Sequence, residues 1–432
     1  MLTTYPYQAL TASDFERLLA RNTDPSNAIQ QSVIAIMDEV KANGDTALRD
    51  YTEKFDGVRL ENLTLTADEI GALASSIGRD QQRALEIAFA NIHRFHETQL
   101  RKERSVETMP GVKCWREPRP IEKVGLYIPG GSAVLPSTLL MLGVPARIAG
   151  CKEIVVCSPP QANGSINGYV AYCLHLLQIN TVYLVGGAQA VAAMAYGTAS
   201  VPRVDKIFGP GNQYVTKAKS LVQSLSHVSI DMPAGPSEVL IIADGTANPQ
   251  YIAADLLAQA EHGADSQAVL VCTDQRIIDE VQLALDTQII ALPRKDVAAK
   301  AIAKSYAIQC NTLDEAIAFS NRYAPEHLII QTDDWEPLLR KISNAGSVFV
   351  GHLTPESVGD YASGTNHTLP TSGFARSYSG VSVDSFLKKI TFQHITPEGL
   401  RNIGPTVEIL AELEGLQAHK NAVSVRMDRE RL

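Results

Sequence analysis

The sequence predicts an α/β fold of two tandem, Rossmann-like doubly wound parallel sheets, one inserted in the other. Three observations carry this expectation. From Val124 onward five short β-type runs follow one another: VGLYIP, EIVVCS, TVYLVG, DKIFG and VSIDM. Helical segments such as YVAYCLHLLQ and AQAVAAMAYG separate the first four, and such alternation implies a parallel sheet. A second set repeats the rhythm: EVLIIAD, helix 248–262, AVLVCT, helix 275–289, YAIQC, helix 313–322, HLIIQT, helix 334–341 and SVFVG. Lastly, the 49 residues from Ile154 to Pro202 contain no Asp, Glu, Lys or Arg. PPQANGSING, a GG pair and His175 interrupt that stretch before the ~20 apolar residues a membrane span needs. A sheet covered on both faces accounts for it better.

The remaining elements follow in order. Residues 1–22 read as a short helical arm, and a helix over 26–43 is closed by a glycine. Thr66-Ala67-Asp68-Glu69 has the pattern of a capping box opening a short helix. A longer helix runs from about Asp80 to Gln99. PAGPS at 233–237 breaks the strand–helix rhythm and marks a crossing between domains. Residues 351–382 are loop-like and rich in Gly, Ser and Thr, and a helical tail starts near 396. The division is therefore an N-terminal helical arm, 1–24; an α/β domain from 25–123 and 238–381; an inserted α/β domain, 124–237; and a C-terminal helical tail, 382–432. The tail has little core of its own and needs a neighbour, such as a second subunit.

Composition narrows the function. A chain of 432 residues exceeds one ordinary core. Hydrophobic content of 45% and charged content of 20% are those of a globular protein. A net charge of −9 without a dense Lys/Arg cluster argues against a nucleic-acid partner. The first residues, MLTTYPYQALTASDF, carry neither a charged leader nor an apolar core region, so a cytoplasmic location is expected. Six cysteines without CxxC spacing read as reduced core thiols.

Polar residues in unusual settings supply the chemistry. Gln259 and His262, in DLLAQAEHGADSQ, share one helix face at a three-residue spacing. They could fill two corners of a metal site, though such a pair is also common on a solvated helix. Glu326 and His327 follow Pro325. Consecutive strand residues point to opposite faces, so both can serve one site only where the chain is irregular. The proline supplies a reason for irregularity. Together they offer two proton acceptors of different strength, or else a capping glutamate beside a packed histidine. Asp360 and His367 lie in the polar loop GDYASGTNHTLP. With Gln259, His262 and His419 they allow an oxygen–nitrogen site suited to zinc, manganese or cobalt. His93, His96, His227, His352 and His394 lack such context and read as surface residues.

No GxGxxG turn is present. YIPGGSA, VGGAQA and FGPGN instead place glycine turns between a strand and the following helix. Each could present backbone N–H groups to a phosphate, although tight βα turns need glycine anyway. Three turns on one sheet edge favour a ligand crevice there, with the ligand open on these grounds.

The runs VGLYIPGGSA, KIFGPGN, IDMPAGPSEVL, DLLAQAEHGADSQ, YAPEHLII, SVFVG, PESVGDYASGTNHTLPT and LQAHKNAV together resemble histidinol dehydrogenase. They keep that family's order from about residue 30 to the end. The resemblance implies oxidation of L-histidinol to L-histidine through the aldehyde, by two hydride transfers to NAD at one zinc-bearing site per subunit. By match to the family's motifs, Gln259, His262, Asp360 and His419 would hold zinc. His327 would take the alcohol proton and Glu326 would activate the hydrating water. Ser237, His367 and Glu414 match substrate-contacting positions, a set the metal-site residues and His327 also join. Tyr127, Gln189 and Asn212 match NAD-contacting ones. The resemblance further implies a domain-swapped homodimer whose tail, with Glu414 and His419, completes the partner's active site. Residues 158–178 and 371–386 depart from the family's pattern. A related zinc- and NAD-dependent dehydrogenase of another amino or sulfonated alcohol is therefore an alternative, as is a metal-dependent hydrolase. His367 and Glu414 favour histidinol.

Overall fold

The computed structural model describes residues 2–21, 27–130, 135–233 and 235–427. Parts of the predicted arm (1 and 22–24), of the YIPGGSA turn (131–133), of PAGPS (234) and of the predicted tail (428–432) lie outside the described residues.

Two six-stranded sheets dominate, as the alternating runs predict. The first has the order Thr64–Leu65, Val182–Tyr183, Glu153–Cys157, Lys123–Tyr127, Lys206–Phe208, Ser229–Ile230. All its pairs are parallel except the outermost, Thr64–Leu65 against Val182–Tyr183. Strand order reverses between Lys123–Tyr127 and Lys206–Phe208, which makes a crevice at their carboxyl ends. Apolar helices Pro136–Ala149 and Gly187–Tyr196 are buried along most of their length. That double cover explains why 154–202 carries no charge.

The second sheet is wholly parallel. Its order is Thr3–Pro6, Tyr306–Gln309, Gln267–Cys272, Glu238–Ala243, His327–Gln331, Ser347–Val350. Its central strands are almost wholly buried and dominated by Val, Ile, Leu and Ala, as expected where helices cover both faces.

Three expectations need correction. The N-terminal arm is not helical throughout: Thr3–Pro6 is an edge strand of the second sheet, and only Ala12–Leu19 is α-helical. Four residues pairing with a buried strand gain a ladder that a short helix could not offer. The helices over 25–123 pack with the first sheet, not the second. Val33, Met37, Leu48, Ile70 and Ile92 share one core with Val124 and Leu126, because those helices lay their apolar stripes on the inserted sheet. The 382–432 tail opens with a nine-residue strand, Leu387–Ile395, before helices Pro397–Leu413 and Gln417–Met427. This strand joins Val112–Pro120 and Val106–Met109 in a third, antiparallel sheet. Charged residues fall on both its faces, so no apolar alternation announces it.

The cysteines read as expected: all six are free, and five are buried. His96 does not, being buried with Nδ1 2.9 Å from the Ile92 carbonyl oxygen.

Candidate active site

The Glu326–His327 pair sits where the chain enters a strand. Helix Leu313–Tyr323 ends at Ala324, whose φ of 55° is left-handed, and Pro325 then turns the chain into the strand beginning at His327. Glu326 therefore precedes the regular pleat, and both side chains reach one place. Glu326 Oε2 lies 3.7 Å from His327 Nδ1. Both are buried.

One residue of the neighbouring strand orients them. The Glu238 backbone N–H donates to Glu326 Oε2 at 2.9 Å, and the Glu238 carbonyl oxygen lies 3.3 Å from His327 Nδ1. A carbonyl can only accept, so Nδ1 carries a proton in that contact. His327 Nε2 faces Asp360, with Oδ1 at 3.3 Å.

Asp360 is not in a loop, as its polar context predicts, but on the short helix Glu356–Tyr361. Glu356 stands one turn earlier on the same face. Ligand atoms of His262, Glu356 and Asp360 lie within 4.8 Å of one another. Helix Pro249–Ala260 ends just before His262, whose N–H bonds to the Gln259 carbonyl. Gln259 is buried, and neither of its amide atoms has a hydrogen-bond partner. A buried amide without partners costs on the order of 1–3 kcal/mol unless a ligand satisfies it. These residues fit a divalent cation of borderline character, with nitrogen and oxygen donors and no thiolate.

The electrostatics suit proton transfer. Burial pushes Glu326 up to about 7, with His327 opposing. Burial acts to discharge His327, but Glu326 and Asp360 outweigh it and hold its pKa above that of ordinary imidazole. Burial also lifts Glu356 to about 8 and Asp255 to about 7. Asp255 accepts from Gln331 Nε2 at 2.9 Å.

A second set of features lies at the carboxyl edge of the first sheet. Tyr127 ends its strand buried, and its hydroxyl accepts from the Gly187 N–H at 3.2 Å. Gln189 is buried in the first turn of Gly187–Tyr196. Asn212 caps helix Gln213–Leu225, its side-chain oxygen accepting from the Tyr214 and Val215 N–H groups. Gly209 has φ 123°, and a side chain there would collide with the Tyr127 carbonyl. A buried pair fastens this turn: Lys219 Nζ donates to the Gly209 carbonyl and lies 2.5 Å from Asp231 Oδ1, while Asp231 Oδ2 accepts the Gly209 N–H. The turns after Lys123–Tyr127 and Lys206–Phe208 thus flank the switch point, where α/β sheets bind ligands.

The two edges differ in kind. Glu326, His327 and Glu238 lie at the amino ends of the second sheet's strands, opposite to the usual crevice. The segment 351–382 spans the two sheets: its Asn366 donates to the Met141 carbonyl of helix Pro136–Ala149, and Val381 joins the first sheet's core.

Comparison with known proteins identifies the family. The profile of the family described as histidinol dehydrogenase matches residues 19–427. The chain belongs to the histidinol dehydrogenase family. It is 53% identical over 411 residues to histidinol dehydrogenase of Bacteroides thetaiotaomicron, covering 95% of this chain and 96% of that one. It is 52% identical to the chloroplastic histidinol dehydrogenase of Arabidopsis thaliana, covering 98% and 91%. The crystal structure of histidinol dehydrogenase from Elizabethkingia anophelis superposes with a TM-score of 0.96 at 49% identity, covering 100% of this chain and 99% of that one. The histidinol dehydrogenases are oxidoreductases of histidine biosynthesis, and this chain is one of that enzyme class.

Within the histidinol dehydrogenase frame, Ser237 directly precedes Glu238 and is half-buried, as is His367. Burial holds His367 below the ordinary imidazole value, although Asp360 acts against it. Glu414 and His419 are exposed at the C-terminal helices, and His419 is not in the His262–Glu356–Asp360 group. Among the described residues, one chain therefore does not bring His419 to the cluster. Two residues escaped sequence reasoning. Glu356 is four positions before Asp360, the spacing logic that singles out Gln259 and His262, and could have been found. Glu238 acts through its backbone, which leaves no sequence signal.

Proposed function

We propose that the chain oxidises L-histidinol to L-histidine through the aldehyde, with two hydride transfers to NAD. The observation that carries this reading is the contact of His327 Nε2 with Asp360, which joins a proton acceptor to a ligand cluster, in a chain of this family. In the first half-reaction His327 Nε2 takes the hydroxyl proton while hydride leaves the carbinol carbon for the nicotinamide. In the second, Glu326 takes a proton from the water that adds to the aldehyde, and the hydrate gives up the second hydride. A base whose pKa lies near 7 suits that step.

Gln259, His262 and Asp360 would hold zinc, with His419 of the partner subunit as the fourth ligand. Bound zinc supplies a Lewis-acidic anchor that orients substrate donor atoms. The unpartnered Gln259 amide supports this set, and Glu356 lies beside His262 and Asp360, where it would face the substrate's cationic side. NAD would lie over the switch-point turns, near Tyr127, Gln189 and Asn212. Ser237, His367 and Glu414 would contact the substrate.

The tail supports a dimer with shared sites. Ile409, Leu410, Leu413 and Leu416 are exposed beside Glu414 and His419, an apolar face that a second copy would cover. On this reading the tail, 382–432, crosses to the partner and the chain works in the cytoplasm. The test is turnover of a panel of amino alcohols with NAD. Oxidation of L-histidinol well above the others supports the reading, and preference for a sulfonated or aliphatic amino alcohol overturns it.

A further inference from the structure

Glu238 orients both proton-transfer residues through its backbone, which raises the question of what holds Glu238. Its side chain is buried and ends on Arg21, which follows the helix Ala12–Leu19 of the N-terminal segment. Arg21 Nε lies 3.0 Å from Glu238 Oε2, and the two side chains are 9% and 2% exposed. The guanidinium uses its other faces as well. Nη2 donates to the Tyr323 carbonyl at 2.9 Å, and Nη1 to the Leu19 carbonyl at 2.6 Å. Its carbon lies 3.4 Å from the centroid of the Tyr323 ring. Tyr323 in turn donates its hydroxyl to Gln267 Oε1 at 2.6 Å.

Arg21 thus bridges the two chain segments that set the position of the catalytic pair. One is the start of Glu238–Ala243, which presents N–H to Glu326 and carbonyl to His327. The other is the helix end at Tyr323, three residues before Glu326. We infer that Arg21 is a positioning residue: its buried bridge between Glu238 and the Tyr323 carbonyl fixes the backbone that orients Glu326 and His327. The inference rests on the proposed dehydrogenase reading. A planar guanidinium can meet a carboxylate and two carbonyls while stacking on a ring; a lysine ammonium cannot. Charge balance points the same way, since a buried carboxylate needs its partner. Removing Arg21 would free Glu238 to shift, and small displacements of reacting groups are costly in rate.

The experiment compares Arg21→Ala, Arg21→Lys and Glu238→Gln with the unsubstituted enzyme, using histidinol and then the aldehyde as substrates. The expected result is that kcat in both half-reactions falls about 10- to 100-fold in Arg21→Ala and Arg21→Lys. KM for histidinol stays within about twofold and the number of titratable sites is unchanged. Added guanidinium restores part of the loss in Arg21→Ala and none in Arg21→Lys. Wild-type kcat per site, or fewer active sites each with wild-type kcat, overturns the inference by reducing Arg21 to a stabilising role. Should Arg21→Ala fail to fold, Glu238→Gln decides: lowered kcat at unchanged KM and melting temperature supports it, and wild-type kcat overturns it. Failure of the dehydrogenase reading is seen separately, as no NADH from the unsubstituted enzyme, and sinks both.

Discussion

His327 Nε2 lies 3.3 Å from Asp360 Oδ1, across the gap between the strand His327–Gln331 and the helix Glu356–Tyr361. Nδ1 is turned to the Glu238 carbonyl, so on the proposed reading Nε2 is the atom that would meet substrate. Glu326 occupies the other side of the ring, anchored by the Glu238 N–H. The two residues are therefore equipped for separate proton transfers.

His327→Ala is expected to slow alcohol oxidation about 10²- to 10⁴-fold, the range for removing one general base. Glu326→Gln should spare that step and slow aldehyde to acid by a similar factor. Single-turnover assays with histidinol and with histidinaldehyde check this. Equal loss of both half-reactions in both variants contradicts the division.

The second half-reaction should depend on pH through Glu326. Burial raises its pKa to about 7, and only the carboxylate can accept a proton. The rate of aldehyde oxidation therefore rises as pH increases through about 7 and levels off above it. Glu326→Gln should flatten that profile.

Metal removal should act through Gln259 and His262. Chelation is expected to abolish both half-reactions, with zinc restoring them. Gln259→Ala should retain less metal after dialysis, read by elemental analysis, while its melting temperature in metal-free buffer matches or exceeds that of the unsubstituted chain. The buried amide has no partner without a ligand, so its loss costs the apo fold little.

Asp56 predicts a stability effect that does not involve Glu326 or His327. It ends helix Asp45–Asp56, its Oδ2 is buried without a partner, and burial raises its pKa to about 6. The folded state then holds the proton more tightly than the unfolded state. This contribution is fully present below about 4 and is lost as pH rises to about 6. After allowing for partial solvent screening the loss is about 1–2 kcal/mol. Denaturant titrations of Asp56→Asn at pH values across that window should lack the decline.

Complementation tests the shared site. His327→Ala and His419→Ala are each expected to be inactive alone. Mixed, unfolded and refolded together in equal amounts, half of the dimers carry one intact site, giving about one quarter of normal activity. No recovery means that each chain completes its own site.

The sequence made the two parallel sheets legible because their strands are unbroken apolar runs bounded by glycine turns. The Val112–Pro120 and Leu387–Ile395 ribbon escaped because its charges lie on both faces. Gln259, His262, Glu326, His327 and Asp360 were visible as polar residues in odd contexts, and the structure brings His262, Asp360 and His327 together. Arg21 and Glu238 were not visible, since a buried ion pair 217 positions apart has no local pattern. The amino-edge location of the Glu326–His327 pair was equally hidden, because strand runs do not reveal which end of a sheet a loop will cover.

The most direct test of the central claim is to count products from L-histidinol and NAD in one reaction, beside a chelated sample. The account predicts two NADH for each histidine formed, no released aldehyde, and loss on chelation reversed by zinc. One NADH with free aldehyde, or turnover indifferent to chelation, would contradict it.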